Sequence, residues 1–246
     1  MANKLACRSV LALIAVLLWA PPVRAELVAD LTSHLIAITG GFSGASVVLF
    51  GGTDGPGDAV VVVRGPERDM TVRRKERVAG IWANTQAVTF TNVPSFYAVA
   101  TSRPMEEILA PEAAAFYRLG VANLKLGAET PASPAVIDAF RVALEGNQEQ
   151  AGLFVTRMGK IDFLGERLFR TTITFPSNAP TGTYLVEVFQ VRDKNVIAGQ
   201  TTPLVVSKVG FVAGVFEFAN RSPDIYAIIC ALVASLTDLI LSTIFT

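Results

Sequence analysis

The densest chemistry in this chain is the run Val72-Arg-Arg-Lys-Glu-Arg-Val78. At the two-residue period of a strand, Arg73, Lys75 and Arg77 project from one face while Arg74 and Glu76 project from the other. Three cations on one face repel one another unless an acidic surface, an anion or lipid headgroups lie opposite. The strip is therefore the candidate binding site. The plainer alternative is a charged edge strand that guards against aggregation. Trp82, just beyond the strip, reads as a core residue.

Material for acid–base or nucleophilic chemistry is sparse. His34 is the only histidine, at the start of a strand, and no G-x-S-x-G elbow supplies a nucleophile for it. Gly41-Phe-Ser-Gly44 is only a turn. Asp54 and Asp58 flank a glycine-rich loop but lack the third oxygen ligand that a calcium loop requires. There is no phosphate-binding loop, no dinucleotide fingerprint and no paired Cys or His for zinc. The sequence thus predicts no catalytic residue, no metal site and no cofactor. Lys and Arg total 21 against 21 Asp and Glu, a balance that removes the electrostatic case for a nucleic-acid partner.

Strands must position these groups. His34–Thr39, Ser46–Phe50, Asp58–Gly65, Thr71–Trp82 and Ala87–Thr101 are rich in β-branched and aromatic residues, separated by glycine-rich turns at 40–44 and 51–57. Val60–Val63 is a continuous apolar run, as in a strand near the middle of a sheet, whereas Val88 and Phe90 alternate with Thr89 and Thr91. Between Pro104 and Gly146 two helices are expected. One opens at Pro111 with Ala113, Phe116 and Gly120 on a face. The other opens at Ser133-Pro134 with a stripe of Ile137, Phe140 and Leu144 and closes at Gly146. Strands resume at Leu153, with alternation over Thr172–Phe175, a turn at 176–182, a long strand from Tyr184 to Val191, and shorter ones at Val196–Ala198 and Leu204–Val209. Eight or nine strands predict a mainly β fold, an Ig-like β-sandwich over 26–210 with a helical insertion at about 104–146. The stretch FPSNAPTGTYLVEV (175–188) is similar to the late strands of bacterial Ig-like sandwiches. Two small sandwiches flanking a helical linker is the other arrangement.

Both ends are apolar, and 51% hydrophobic against 17% charged residues, with a mean hydropathy of +0.46, reflects them. Lys4 and Arg8 precede the apolar run Val10–Ala20, and Val23-Arg-Ala25 offers a cleavage site, so residues 1–25 read as a signal peptide. Residues 211–225 form a juxtamembrane segment. Tyr226–Thr246 is long enough to cross a bilayer core as a helix. No Lys or Arg follows it, so charge does not orient it. Asp238 lies inside that span as a candidate intramembrane polar contact. Cys7 would leave with the signal and Cys230 lies in the span, so the exported domain is expected to lack disulfides.

Six stretches carry a family resemblance: VADLTSHLIAIT (28–39), VVLFG (47–51), VVVVRGP (60–66), VRRKERVAGIW (72–82), VPSFYAV (93–99) and QTTPLVV (200–206). In these the chain resembles a family of alphaproteobacterial transmembrane proteins without an established activity. The resemblance implies a signal peptide, a periplasmic domain and one C-terminal span in the inner membrane. It also implies association with sulfite-exporter-like permeases. The expected function is a membrane-anchored, non-catalytic binding or accessory module, possible partners being the inner membrane and a permease. A periplasmic enzyme or a structural envelope protein are the alternatives.

Overall fold

Val60 to Val63 are buried without a break, and Val60 and Val62 belong to a different hydrophobic cluster from Val61 and Val63. A strand buried on both faces must sit between two layers, and that requirement organises the chain. The computed structural model describes residues 27–78, 80–129 and 131–244. Its strands are β1 (Val28–Leu31), β2 (Leu35–Ile38), β3 (Gly44–Gly52), β4 (Asp58–Arg64), β5 (Glu67–Val78), β6 (Ile81–Pro94) and β7 (Tyr97–Thr101). They continue with β8 (Gly127–Ala128), β9 (Phe154–Lys160), β10 (Asp162–Leu164), β11 (Leu168–Pro176), β12 (Gly182–Arg192) and β13 (Asn195–Lys208).

A four-stranded sheet, β1-β3-β11-β10, faces a six-stranded sheet, β2-β13-β12-β4-β7-β9, and β5, β6 and β8 form a third. The six-stranded sheet is antiparallel except at its two edges, where β2 runs parallel to β13 and β9 parallel to β7. Between the two larger sheets, Val61, Val63, Val186, Val188 and Leu204 meet Leu49, Phe169, Ile173 and Phe175. Phe96 stacks on Phe175 at 5.1 Å between ring centroids, and Tyr184 closes the trio at 5.5 Å from Phe175. On the other face of the six-stranded sheet, Val60, Val62, Val99 and Phe189 pack with Val88, Phe90 and Val93 of β6. Each such side chain stabilises the fold by roughly 1.5–3 kcal/mol relative to exposure.

The helices α1 (Met105–Ile108), α2 (Pro111–Phe116) and α3 (Pro134–Gln150) lie in the predicted insertion. Phe140 and Leu144 of α3 are buried in the outer core, as the stripe predicts. The helix runs through Gly146 to Gln150, because that glycine faces open space and no contact there requires a break. The stripe expected on α2 is displaced: Ala114 is buried, while Phe116 is 75% exposed.

Other expectations need correction. The strand expected over 71–82 is two strands, because Gly80 takes φ +87° and turns the chain back on itself. The strand expected over 87–101 is interrupted at Ser95-Phe96, where the chain leaves the third sheet for the six-stranded one. Val196–Ala198 and Leu204–Val209 lie on a single strand, β13. His34 precedes β2, and β1 lies before it.

Beyond β13, α4 (Phe211–Arg221) occupies most of the expected juxtamembrane segment, and α5 (Pro223–Ile244) follows for 22 residues. The C-terminal segment is helical, as expected. Among the described residues, however, no helix is long and apolar enough to cross a membrane. The expected signal peptide, with Cys7, lies outside the described residues.

Candidate functional site

The basic run lies on one arm of a hairpin. Pairing between β5 and β6 proceeds Val72↔Val88, Arg73↔Ala87, Arg74↔Gln86, then shifts by a bulge to Lys75↔Asn84, Glu76↔Ala83, Arg77↔Trp82 and Val78↔Ile81. Val72 and Val88 are buried, and they mark where the body stops covering the ribbon. From Arg73 to Val78 every side chain is exposed. Paired residues of antiparallel strands share a face, so Trp82 stands beside Arg77 on the side of Arg73 and Lys75. Val78 and Ile81 pair on the opposite side.

This geometry overturns one expectation: Trp82 is 69% exposed, Ile81 73% and Val78 52%. The indole is beside the turn and, among the described residues, outside both hydrophobic clusters. Arg74 is on the other face, as the strand period predicts, and its guanidinium lies 5.1 Å from the centre of the Phe140 ring. That contact gives Arg74 a packing partner on α3. Among the described residues, no carboxylate pairs with Arg73, Lys75 or Arg77. Arg77 Nε donates to the carbonyl of Gly80 at 3.2 Å, which steadies the turn.

The root of the hairpin is held from three directions. β8 pairs with β6 through Phe90↔Ala128 and Thr91↔Gly127. Gln148 of α3 donates to the sulfur of Met70 at 2.7 Å, and Thr71 and Thr89 join hydroxyls at 2.9 Å. The insertion is in turn latched to the sheet by Tyr97. Its buried hydroxyl donates to the carbonyl of Arg118 at 2.9 Å and accepts the amide of Gly120 at 2.8 Å. Arg64 donates to the carbonyls of Tyr117 and Arg118 and pairs with Glu187. Burial pushes the Tyr97 phenol up to about 12 despite the nearby Arg64 charge, and burial lowers the Arg64 guanidinium. These groups hold structure. Sequence reading missed them because they come together only through sheet pairing.

The remaining candidates do not converge. His34 Nε2 meets Asp30 Oδ1 at 2.9 Å with both side chains more than half exposed. Asp58 is engaged by Arg103 and Ser102, and the hydrogen bond from Arg103 holds its carboxyl below the ordinary value. Asp54 offers its backbone carbonyl to Arg192. Among the described residues, no group of three or more His, Cys, Asp or Glu gathers to hold a metal. A crevice of about 340 Å³ between the sheets is lined by Val61, Val63, Ala98, Ala100, Val155 and Ile173, with threonines at 172 and 174. Among the described residues its lining includes no acid or base. Asp238 and Cys230 are exposed on α5.

The fold and site therefore define a β body that carries an unpaired basic hairpin and continues into a helical C-terminus. Residues 26–246 match a family described as "Putative transmembrane protein (Alph_Pro_TM)", and the chain belongs to that family. No curated protein matches it. A solved structure titled "BslA - A bacterial hydrophobin" is 13% identical, covering 77% of this chain and all of that one, with a TM-score of 0.26. That likeness is too slight to carry an argument.

Proposed function

We propose that this chain is a membrane-tethered, non-catalytic binding module of the cell envelope. Residues 1–25 direct export, the C-terminal segment 226–246 anchors the chain in the inner membrane, and an Ig-like β-sandwich stands on the periplasmic side. The observation that carries the reading is α5 itself. Ile225, Ile228, Leu232, Val233 and Leu236 are each more than half exposed, uncovered by the β body. Five large apolar side chains along one helix are costly in water and favoured in lipid. The polar residues of the helix are partly neutralised within it, since Ser235 donates to the carbonyl of Ala231 and Thr237 to that of Val233. Asp238 is the exception, and it meets a polar group on a partner span.

The module acts as an accessory to a permease of the sulfite-exporter kind, as its family resemblance implies, while the Arg73, Lys75 and Arg77 strip docks on an anionic surface. Alkaline carbonate extraction of membranes tests the tether. The full chain stays with the pellet, and a chain truncated after Ser222 is released. Release of the full chain refutes the reading. Affinity capture in mild detergent tests the accessory role, with a permease recovered by the native chain and lost with Asp238→Leu.

A further inference from the structure

The charges of the β5–β6 hairpin have a plain explanation as edge protection, but its apex does not. A guarded edge places Lys, Glu or Pro where strands are bare. Here three large apolar residues, Val78, Ile81 and Trp82, crowd the turn and are each more than half exposed. Basic residues sit directly behind them, and the lone acid of the run, Glu76, is on the face away from Arg73, Lys75 and Arg77.

We propose that this apex is a lipid-interface wedge: Val78, Ile81 and Trp82 enter the headgroup boundary of an anionic bilayer, and Arg73, Lys75 and Arg77 engage its anionic headgroups. The proposal rests on the tethered reading above, which keeps the hairpin near a membrane, and it names the partner class of the strip. Three features favour lipid over an acidic protein surface. The apolar groups lie on both faces of the ribbon, Trp82 on one and Val78 with Ile81 on the other. A fluid medium can surround such an apex, whereas a protein surface would have to supply a cleft with two apolar walls. Indole and guanidinium stand side by side at the Arg77↔Trp82 pair, where an interfacial ring and a headgroup-binding cation are both satisfied. The ladder also continues to the last pair before the turn, Val78↔Ile81, so the chain reverses within two residues and the apex that enters the headgroups is narrow.

The test uses the full chain carrying Trp19→Phe, which leaves Trp82 as its single tryptophan. The chain is mixed with vesicles of phosphatidylglycerol and phosphatidylcholine, some brominated on their acyl chains. Trp82 emission should shift to the blue and be quenched by the brominated lipid. Each cation contributes about fivefold to binding at an anionic surface, so Arg73→Gln, Lys75→Gln and Arg77→Gln together should lower the docked-to-undocked ratio roughly a hundredfold. Should that variant misfold, about 1 M salt on the native hairpin provides the same test, because it shortens the screening length to about 3 Å. Flotation is scored separately. A chain that floats with anionic vesicles while Trp82 stays water-exposed overturns the wedge and leaves the tether standing. A chain that neither floats nor protects Trp82 overturns both. Equal quenching in purely zwitterionic vesicles overturns the role given to the cations. Protection of Trp82 in native membranes but not in protein-free vesicles assigns the hairpin to an acidic protein instead, which also overturns the proposal.

Discussion

Replacing Tyr97 by Phe removes one oxygen from a fully buried side chain and nothing else. The ring keeps its edge contact with Phe154 at 6.1 Å between centroids, so the cavity term is small. Two hydrogen bonds disappear, but their loss is unequal. The carbonyl of Arg118 still accepts from Arg64 at 3.1 Å, whereas the amide of Gly120 loses the hydroxyl that it bonds at 2.8 Å. Leaving this part-buried donor without its partner costs roughly 1–2 kcal/mol, the lower part of the range for a buried group. With the Arg118 carbonyl still served by Arg64, the expected destabilisation is about 1–2 kcal/mol, or about 2–8 °C in Tm for a body of this size. Thermal unfolding followed by circular dichroism measures it, and hydrogen exchange at Gly120 localises it. The insertion also braces the hairpin through β8 and α3, so exchange should rise at Thr91 and Gly127 as well. A change below about 0.5 kcal/mol with unaltered exchange at Gly120 would refute the latch.

Burial pushes both Tyr97 and Tyr184 up to about 12. A phenol that stays neutral longer in the folded state contributes stability that is intact below about pH 10 and is lost as pH rises towards 12. Absorbance at 295 nm should therefore show these two tyrosines ionising only with unfolding. The depressed carboxyl of Asp58 has the opposite sign: its contribution is present above about pH 4 and is lost as pH falls through the lowered value. Because Arg103 is largely exposed, Asp58→Asn should cost only about 0.5–1 kcal/mol at neutral pH, with the gap closing in acid denaturation curves below about pH 4. Gly51→Ala should cost about 1–3 kcal/mol in urea unfolding, since its Cβ would lie 2.5 Å from Phe169 Cζ and 2.7 Å from the carbonyl of Val28. A neutral result there would show that β1 and β11 can both move away from β3.

Periodicity made much of this fold legible. The unbroken Val60–Val63 run, the Val88/Phe90 alternation and the stripe of Phe140 and Leu144 each led to the burial observed. What failed were positions where local sequence has no period to read. The turn after Val78 carries a single glycine among apolar neighbours, so the local sequence predicts one long strand with Trp82 in a core, whereas the chain reverses at Gly80 and leaves Trp82 exposed. Phe116 failed for a similar reason, because a helix as short as Pro111–Phe116 presents too few turns to fix a face. Strand period alone placed Arg73, Lys75 and Arg77 together on the site. The apex beside them required knowing where the chain reverses. The Tyr97, Arg64 and Glu187 latch was out of reach, since Arg64 and Glu187 meet only because β4 pairs with β12.

Tethering by α5 is tested most directly at Cys230, an exposed thiol on that helix. In a Cys7→Ser background, sealed membranes carrying the full chain are treated with a membrane-impermeant maleimide before and after detergent. A helix seated in lipid leaves Cys230 unlabelled until detergent is added. Complete labelling in intact membranes would place the helix in water and contradict the tether.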